Sequence, residues 1–377
     1  MTTWLATCVD GLSFNRQYLL EAYDATLQLG GLLYRLPGRP RANLWGIWTA
    51  EDPLVLAESL ALAAAALCWV WYLATHNCSH VDRMWSILPP IYVAILSRRE
   101  LALAAASLRV AAAARLSPAT GESPGLLPGR LLSALSASGA DMRLLLACAL
   151  TAVWGCRLTY NFARKGGYSL RFEDYRWAVV RTLMPRVVFE LFNLVFVAAA
   201  QHALCLAITL PAYVAATAAH KARQAGGTPE PLGAAGWAGA VAFALLLLGE
   251  VAADEQQWSF QRKKHALMAA GKPRRGDYRR GFRTSGLFRF SRHPAFFFEY
   301  AQWWAVYVLC AVGPSRCGVG WAAAGAVGLT FLFHAGSLWI TERISASKYP
   351  DYALYQARTS ALIPWLPGQA LPEPRDD

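Results

Sequence analysis

Residues 54–75 read LVLAESLALAAAALCWVWYLAT, an apolar run broken only by Glu58, Ser59 and the closing Thr75. About 20 such residues, at a helical rise of roughly 1.5 Å each, cover the hydrocarbon core of a bilayer, so the run predicts a transmembrane helix. The same reading applies at Arg143–Phe162, Val187–Ala219, Gly233–Ala253, Phe296–Val312 and Val319–Ile340, while the shorter Met84–Leu96 and Leu101–Ala114 predict a broken or tilted pair. Composition agrees: 55% of the 377 residues are hydrophobic and only 16% are charged, against roughly 25% charged in a soluble domain. The expected fold is all-α, a polytopic membrane helical bundle with about six to eight transmembrane helices. Residues 1–50 form an amino-terminal interfacial or short membrane segment, 51–366 the transmembrane domain and 367–377 a disordered tail.

The amino terminus lacks a basic stretch leading into a short apolar core and cleavage site, so it does not read as a secretory signal. The eight cysteines are scattered, mostly within apolar runs and without a Cys-x-x-Cys pair, and read as small buried hydrophobes. The segment 117–139, rich in Pro, Gly and Ser, predicts a flexible excursion between spans. Net charge is +12, with the excess concentrated in loop 262–292. The positive-inside rule makes that loop cytoplasmic, and its guanidinium groups also suit phosphate. Nucleic acid is excluded as a partner because spans flank the loop on both sides. His76 and His80, spaced i, i+4, have the spacing of a shared metal on a helix, but the other histidines stand alone and no metal is expected. No glycine-rich phosphate loop is present.

Polar chemistry gathers at span ends. Residues 289–304 carry Arg289, Arg292, His293 and Glu299 at the joint between the basic loop and an apolar segment, and charge at such a joint is seldom there without a partner or ligand. Arg157, Asn161 and Arg164 recur at i, i+4, i+7 and share a helix face, with Arg176 following shortly after. Glu250, Asp254, Gln257 and Gln261 form another stripe, able either to cap the basic loop or to hydrogen-bond a ligand. Asp82 and Arg83 open an apolar segment, as an ion pair or as the rim of a pocket.

Together these blocks resemble the carboxy-terminal domain of the steroid 5-alpha-reductase family, closest to its broad, largely uncharacterised branch. The similar blocks are Asp82 to Pro89, Trp154 to Leu158, Glu173 to Trp177, Ala253 to Gln256, Ser291-Arg292-His293-Pro294 with Glu299, Lys348-Tyr349-Pro350 and Ile363-Pro364-Trp365. They run in the expected order, roughly from Leu54 to Trp365.

The resemblance implies a membrane enzyme, often of the endoplasmic reticulum, that reduces a carbon–carbon double bond conjugated to a carbonyl with NADPH. Its substrate would be a lipid such as a sterol-like or polyprenyl enone. Asp254, Arg289, Arg292, His293, Glu299, Arg157 and Arg176 would surround the cofactor. Tyr92, with Glu58 as its partner, is the candidate acid that polarises the carbonyl. Two positions depart from the pattern: Ala295-Phe296 stand where Asn-Tyr is usual, and Glu342 where a histidine is common. The alternatives are an S-adenosylmethionine-dependent membrane methyltransferase, a class that shares an Arg-His-Pro block before a span, and a non-catalytic lipid-binding protein on the same fold.

Overall fold

A computed structural model describes residues 2–116, 133–313 and 320–372. Among these the chain is helical with no strand, and six helices are long and apolar enough to cross a membrane. It is an integral membrane protein. In chain order the principal helices are α1 (Thr2–Tyr34), α2 (Pro40–Trp48), α3 (Pro53–Thr75), α4 (His80–Trp85), α5 (Leu88–Leu96), α6 (Arg98–Leu116), α7 (Met142–Arg164) and α8 (Tyr175–Thr182). They continue as α9 (Arg186–Ala207), α10 (Leu210–Gln224), α11 (Ala234–Ala269), α12 (Pro294–Val312), α13 (Trp321–Lys348) and α14 (Tyr352–Arg358). The six candidate spans are α3, α7, α9, α11, α12 and α13.

Local chemistry sets the boundaries. Asp52 and Asp141 cap α3 and α7 by accepting from the N–H groups of Leu54 and Arg143, and Pro53 and Pro294 stand at first-turn positions where no helical donor is lost. The stretch predicted as one apolar run over Val187–Ala219 is divided at Ile208–Thr209. Pro211 has no N–H to continue the ladder, so it starts α10 instead. The pair expected at 84–114 forms two helices, α5 and α6, neither of which is among the six candidate spans; Pro89 and Pro90 stand in the first turn of α5. Most of segment 117–139 lies outside the described residues, as do Cys317 and residues 373–377. The tail expected to be disordered from 367 is held as far as Pro372, whose carbonyl accepts from Arg280, while that of Ala370 accepts from Arg358.

Packing follows the rule for helices in lipid, with small residues inside and large apolar ones outside. On α3, Ala57, Ala61 and Ala64 are buried while Leu62, Leu67 and Val70 are exposed; on α11, Ala240 is buried while Val241, Leu245 and Leu248 face out. Glycines let backbones touch. A Cβ on Gly239 of α11 would stand 2.5 Å from the Leu309 nitrogen and 2.8 Å from the Ala305 oxygen of α12. Gly239→Leu is therefore expected to destabilise the bundle by about 1–3 kcal/mol or more through overpacking, read as a lower thermal unfolding temperature in detergent. An unchanged transition would show that α11 and α12 do not approach so closely.

Candidate functional site

The bundle opens a cleft of about 350 Å³ between α4, α7, α11, α12 and α13. Its floor is built on one guanidinium. Arg157 of α7 reaches Glu250 and Asp254, one turn apart on α11, at 2.7 and 2.6 Å, and Glu299 of α12 at 3.6 Å. The i, i+4 spacing puts both α11 carboxylates on the face that meets α7. The indoles of Trp154 and Trp303 donate to the two oxygens of Glu299 at 3.1 and 3.3 Å and pack edge to face with centroids 5.0 Å apart. Gln302 donates to Glu250 at 2.7 Å. Leu158, Phe162, Phe296, Leu329, Leu332 and Phe333 give the cleft apolar walls. Residues Leu332–Ser337 are π-helical, a distortion often found where a helix lines a functional site.

The rim comes from the chain between α3 and α8. Asn77 donates to the carbonyls of Leu170 and Phe172, and Arg83 to those of Gly167, Ser169 and Phe172. Arg83 is thus a brace for the loop that follows α7 and makes no pair with Asp82. Asp82 lines the cleft and accepts from Trp177 at 3.1 Å; burial pushes its carboxyl up, against the pull of Arg176. Asp174 caps α8 and holds Arg176 in a fork of 2.8 and 3.1 Å. Burial alone would pull the Arg176 guanidinium down, and the Asp174 charge more than offsets it. His80 puts its ring nitrogens 2.7 Å from Thr75 and 2.7 Å from Arg83. Among the described residues no group of three His, Cys, Asp or Glu stands in metal-holding geometry.

The Arg-His-Pro block does something different from lining the cleft. Arg292 donates to Glu342 of α13 at 2.7 Å and to the Gln356 carbonyl at 3.1 Å, and His293 pairs with Glu342 at 2.6 Å. Tyr352 and Gln356 of α14 reach the same carboxylate at 2.6 and 2.8 Å. Burial pushes the Tyr352 phenol up, with Glu342 adding to it. Backbone N–H groups of Arg292 and His293 donate to Ser360 and Ala361. This clamp locks the carboxy-terminal segment to the start of α12. Pro294 then begins the helix, and Ala295, Phe296 and Glu299 turn into the cleft.

Of the residues singled out in the sequence, Arg157, Arg176, Asp254 and Glu299 therefore share one cleft. Arg292 and His293 belong to the clamp, and Arg289 is exposed on the loop away from the cleft lining. Other loop arginines are also occupied locally: Arg283 donates to the Gln256 and Ser285 carbonyls and Arg280 pairs with Asp277. Tyr92 and Glu58 stand outside the cleft. Tyr92 is fully buried in the core, and Glu58 accepts from Thr26 of α1 at 2.7 Å. Sequence reading did not single out Gln302, Trp154 or Trp303 as site residues, because each resembles ordinary span residues until three helices meet.

These residues can be placed in a family. The segment 123–359 matches the family described as Protein of unknown function (DUF1295). The chain belongs to the DUF1295 family. An uncharacterised protein of Schizosaccharomyces pombe is 31% identical over 347 residues, covering 90% of this chain and 88% of that protein. No solved structure matches the chain. The DUF1295 segment contains the floor residues Arg157, Glu250, Asp254 and Glu299 and the clamp residues Arg292, His293, Glu342 and Tyr352, while Asp82, Tyr92 and Glu58 precede it.

Proposed function

We propose that this DUF1295 protein is an NADPH-dependent membrane reductase of a conjugated carbon–carbon double bond in a lipid enone, sterol-like or polyprenyl. The observation that carries the proposal is a cleft within the bundle that joins a charged, hydrogen-bonding floor to apolar walls. The resemblance of its sequence blocks to the steroid 5-alpha-reductase family supports the same reading, and in that family the basic loop 262–292 would face the cytoplasm of an endoplasmic-reticulum protein.

The lining suits the two ends of the cofactor differently. Asn161, Ser86 and Gln201 offer the donors and acceptors that a nicotinamide carboxamide needs, in the absence of an amide at Ala295. Lys165 and Arg176 at the rim are the cations available to phosphate. When bound, NADPH would supply the hydride. The chain's part is to hold the ring against the floor, exclude water with the apolar walls, and stabilise charge as it develops. The carboxylates of Asp254 and Glu299 would favour the positive charge that such a hydride donor develops on its ring.

A second reading is favoured by one observation. Five carboxylates, Asp82, Asp174, Glu250, Asp254 and Glu299, line the cleft against three cations, Arg157, Lys165 and Arg176. Such a lining attracts a sulfonium and an ammonium, which is the charge pattern of S-adenosylmethionine in a methyltransferase.

Binding to detergent-solubilised protein separates the readings. NADPH is expected to raise the unfolding temperature, and Asp254→Asn to weaken it by about 1–3 kcal/mol, the cost of one charged hydrogen bond. Arg289→Ala should leave affinity unchanged. A shift with S-adenosylmethionine and none with NADPH would transfer the cleft to the methyl donor; no shift with either would favour a lipid-binding role without catalysis.

A further inference from the structure

We propose that Glu250 and Glu299 hold one proton between them, and that this pair is the proton donor of the cleft. The role as donor rests on the reductase reading above; the presence of the proton does not. Glu250 is 3% exposed and Glu299 9%. Their Oε2 atoms converge on the same Nη2 of Arg157, at 2.7 and 3.6 Å. Two ionised carboxylates sharing one site repel each other, and a proton on one of them relieves the repulsion. One guanidinium faces three carboxylates, and Asp254, nearer the mouth, takes its own 2.6 Å contact with Arg157. A second uncompensated charge buried at this depth is relieved by taking up a proton.

The neighbours fix where the proton sits. Both oxygens of Glu299 already accept from indoles, those of Trp154 and Trp303. Glu250 receives Gln302 Nε2 and Arg157 on Oε2, which leaves Oε1 to carry the proton. Gln302 is fully buried, and its Oε1 has no partner among the described residues, so an unfilled acceptor stands beside the pair. The remaining groups that face the pair are Cys205 from α9, on the Glu299 side, and Asp82, Lys165 and the Asp174–Arg176 fork across the cleft.

On the reductase reading, bound NADPH would supply the hydride that forms the new C–H bond at the β-carbon of an enone. As the π electrons of the double bond move to the carbonyl oxygen, the pair would give its proton to that oxygen, and tautomerisation would yield the saturated ketone. The substrate would thereby gain two electrons and two hydrogens, the dinucleotide would be oxidised, and the ionised pair would take a proton back from water at the mouth. Glu250 would thus act as the acid that sequence reading assigned to Tyr92.

Infrared difference spectroscopy on the solubilised full-length protein at neutral pH tests the proton directly. A carbonyl stretch of a protonated carboxylic acid, shifted in D2O, is expected in the native protein and in Asp254→Asn, and lost in both Glu250→Gln and Glu299→Gln. Absence of the band in the native protein, or its survival in both variants, overturns the assignment. A titration with NADPH on the same samples keeps the two ideas apart: a band without NADPH binding preserves the proton and removes the reductase role. At saturating NADPH, Glu250→Gln should lower turnover of a lipid enone by about 10²-fold, the scale of general acid catalysis; unchanged turnover would overturn the donor role.

Discussion

Replacing Arg157 with methionine is expected to destabilise the protein by about 3–5 kcal/mol, because it leaves the buried acidic cluster of Glu250, Asp254 and Glu299 without its cation. The side chain is only 12% exposed and Glu250 and Asp254 lie within 2.7 Å of it. Methionine keeps the apolar stem of arginine without its charged head, so the main loss is that of the guanidinium. The expected readout is a lower unfolding temperature in detergent. The double variant Arg157→Met with Glu250→Gln should recover part of the loss, since one stranded carboxylate is gone and the two sites are in contact. A double variant no better than the single one would show that Arg157 acts by packing alone.

The second large effect is expected at Glu342. Its carboxylate gathers Arg292, His293, Tyr352 and Gln356, and Glu342→Ala strands the Arg292 guanidinium in a site only 10% exposed. A loss of about 3–5 kcal/mol follows from breaking such a pair, and it should be local. The segment from Tyr352 onward is docked through this carboxylate and through backbone bonds at Ser360 and Ala361. Limited proteolysis is therefore expected to cut within that segment in Glu342→Ala and to leave the native chain intact there. Identical cleavage patterns would mean that the backbone bonds suffice to hold it.

These two clusters divide what sequence reading had treated as one. Residues 289–304 look like a single cofactor mouth because Arg289, Arg292, His293 and Glu299 are close in the chain. One proline separates their fates. Arg292 and His293, before Pro294, meet Glu342 and the carboxy-terminal segment, whereas Ala295, Phe296 and Glu299 follow the helix into the cleft. The Arg157 stripe was legible for a simpler reason: i, i+4 spacing on α7 and on α11 fixes which side chains share a face before any packing is known. Tyr92 and Glu58 had no spacing to fix them, and the structure leaves both outside the cleft.

The sequence by itself determined the all-helical membrane fold and the position of most spans, since hydropathy is local along the chain. Tertiary structure alone decided which carboxylates meet Arg157, that Arg292 and His293 serve a clamp, and that Gln302 donates to Glu250 while its own Oε1 is left without a partner among the described residues. Those outcomes depend on how three helices are rotated and how deep they pack, and that is set by close contacts such as Gly239 against Leu309, which no periodicity along one helix specifies.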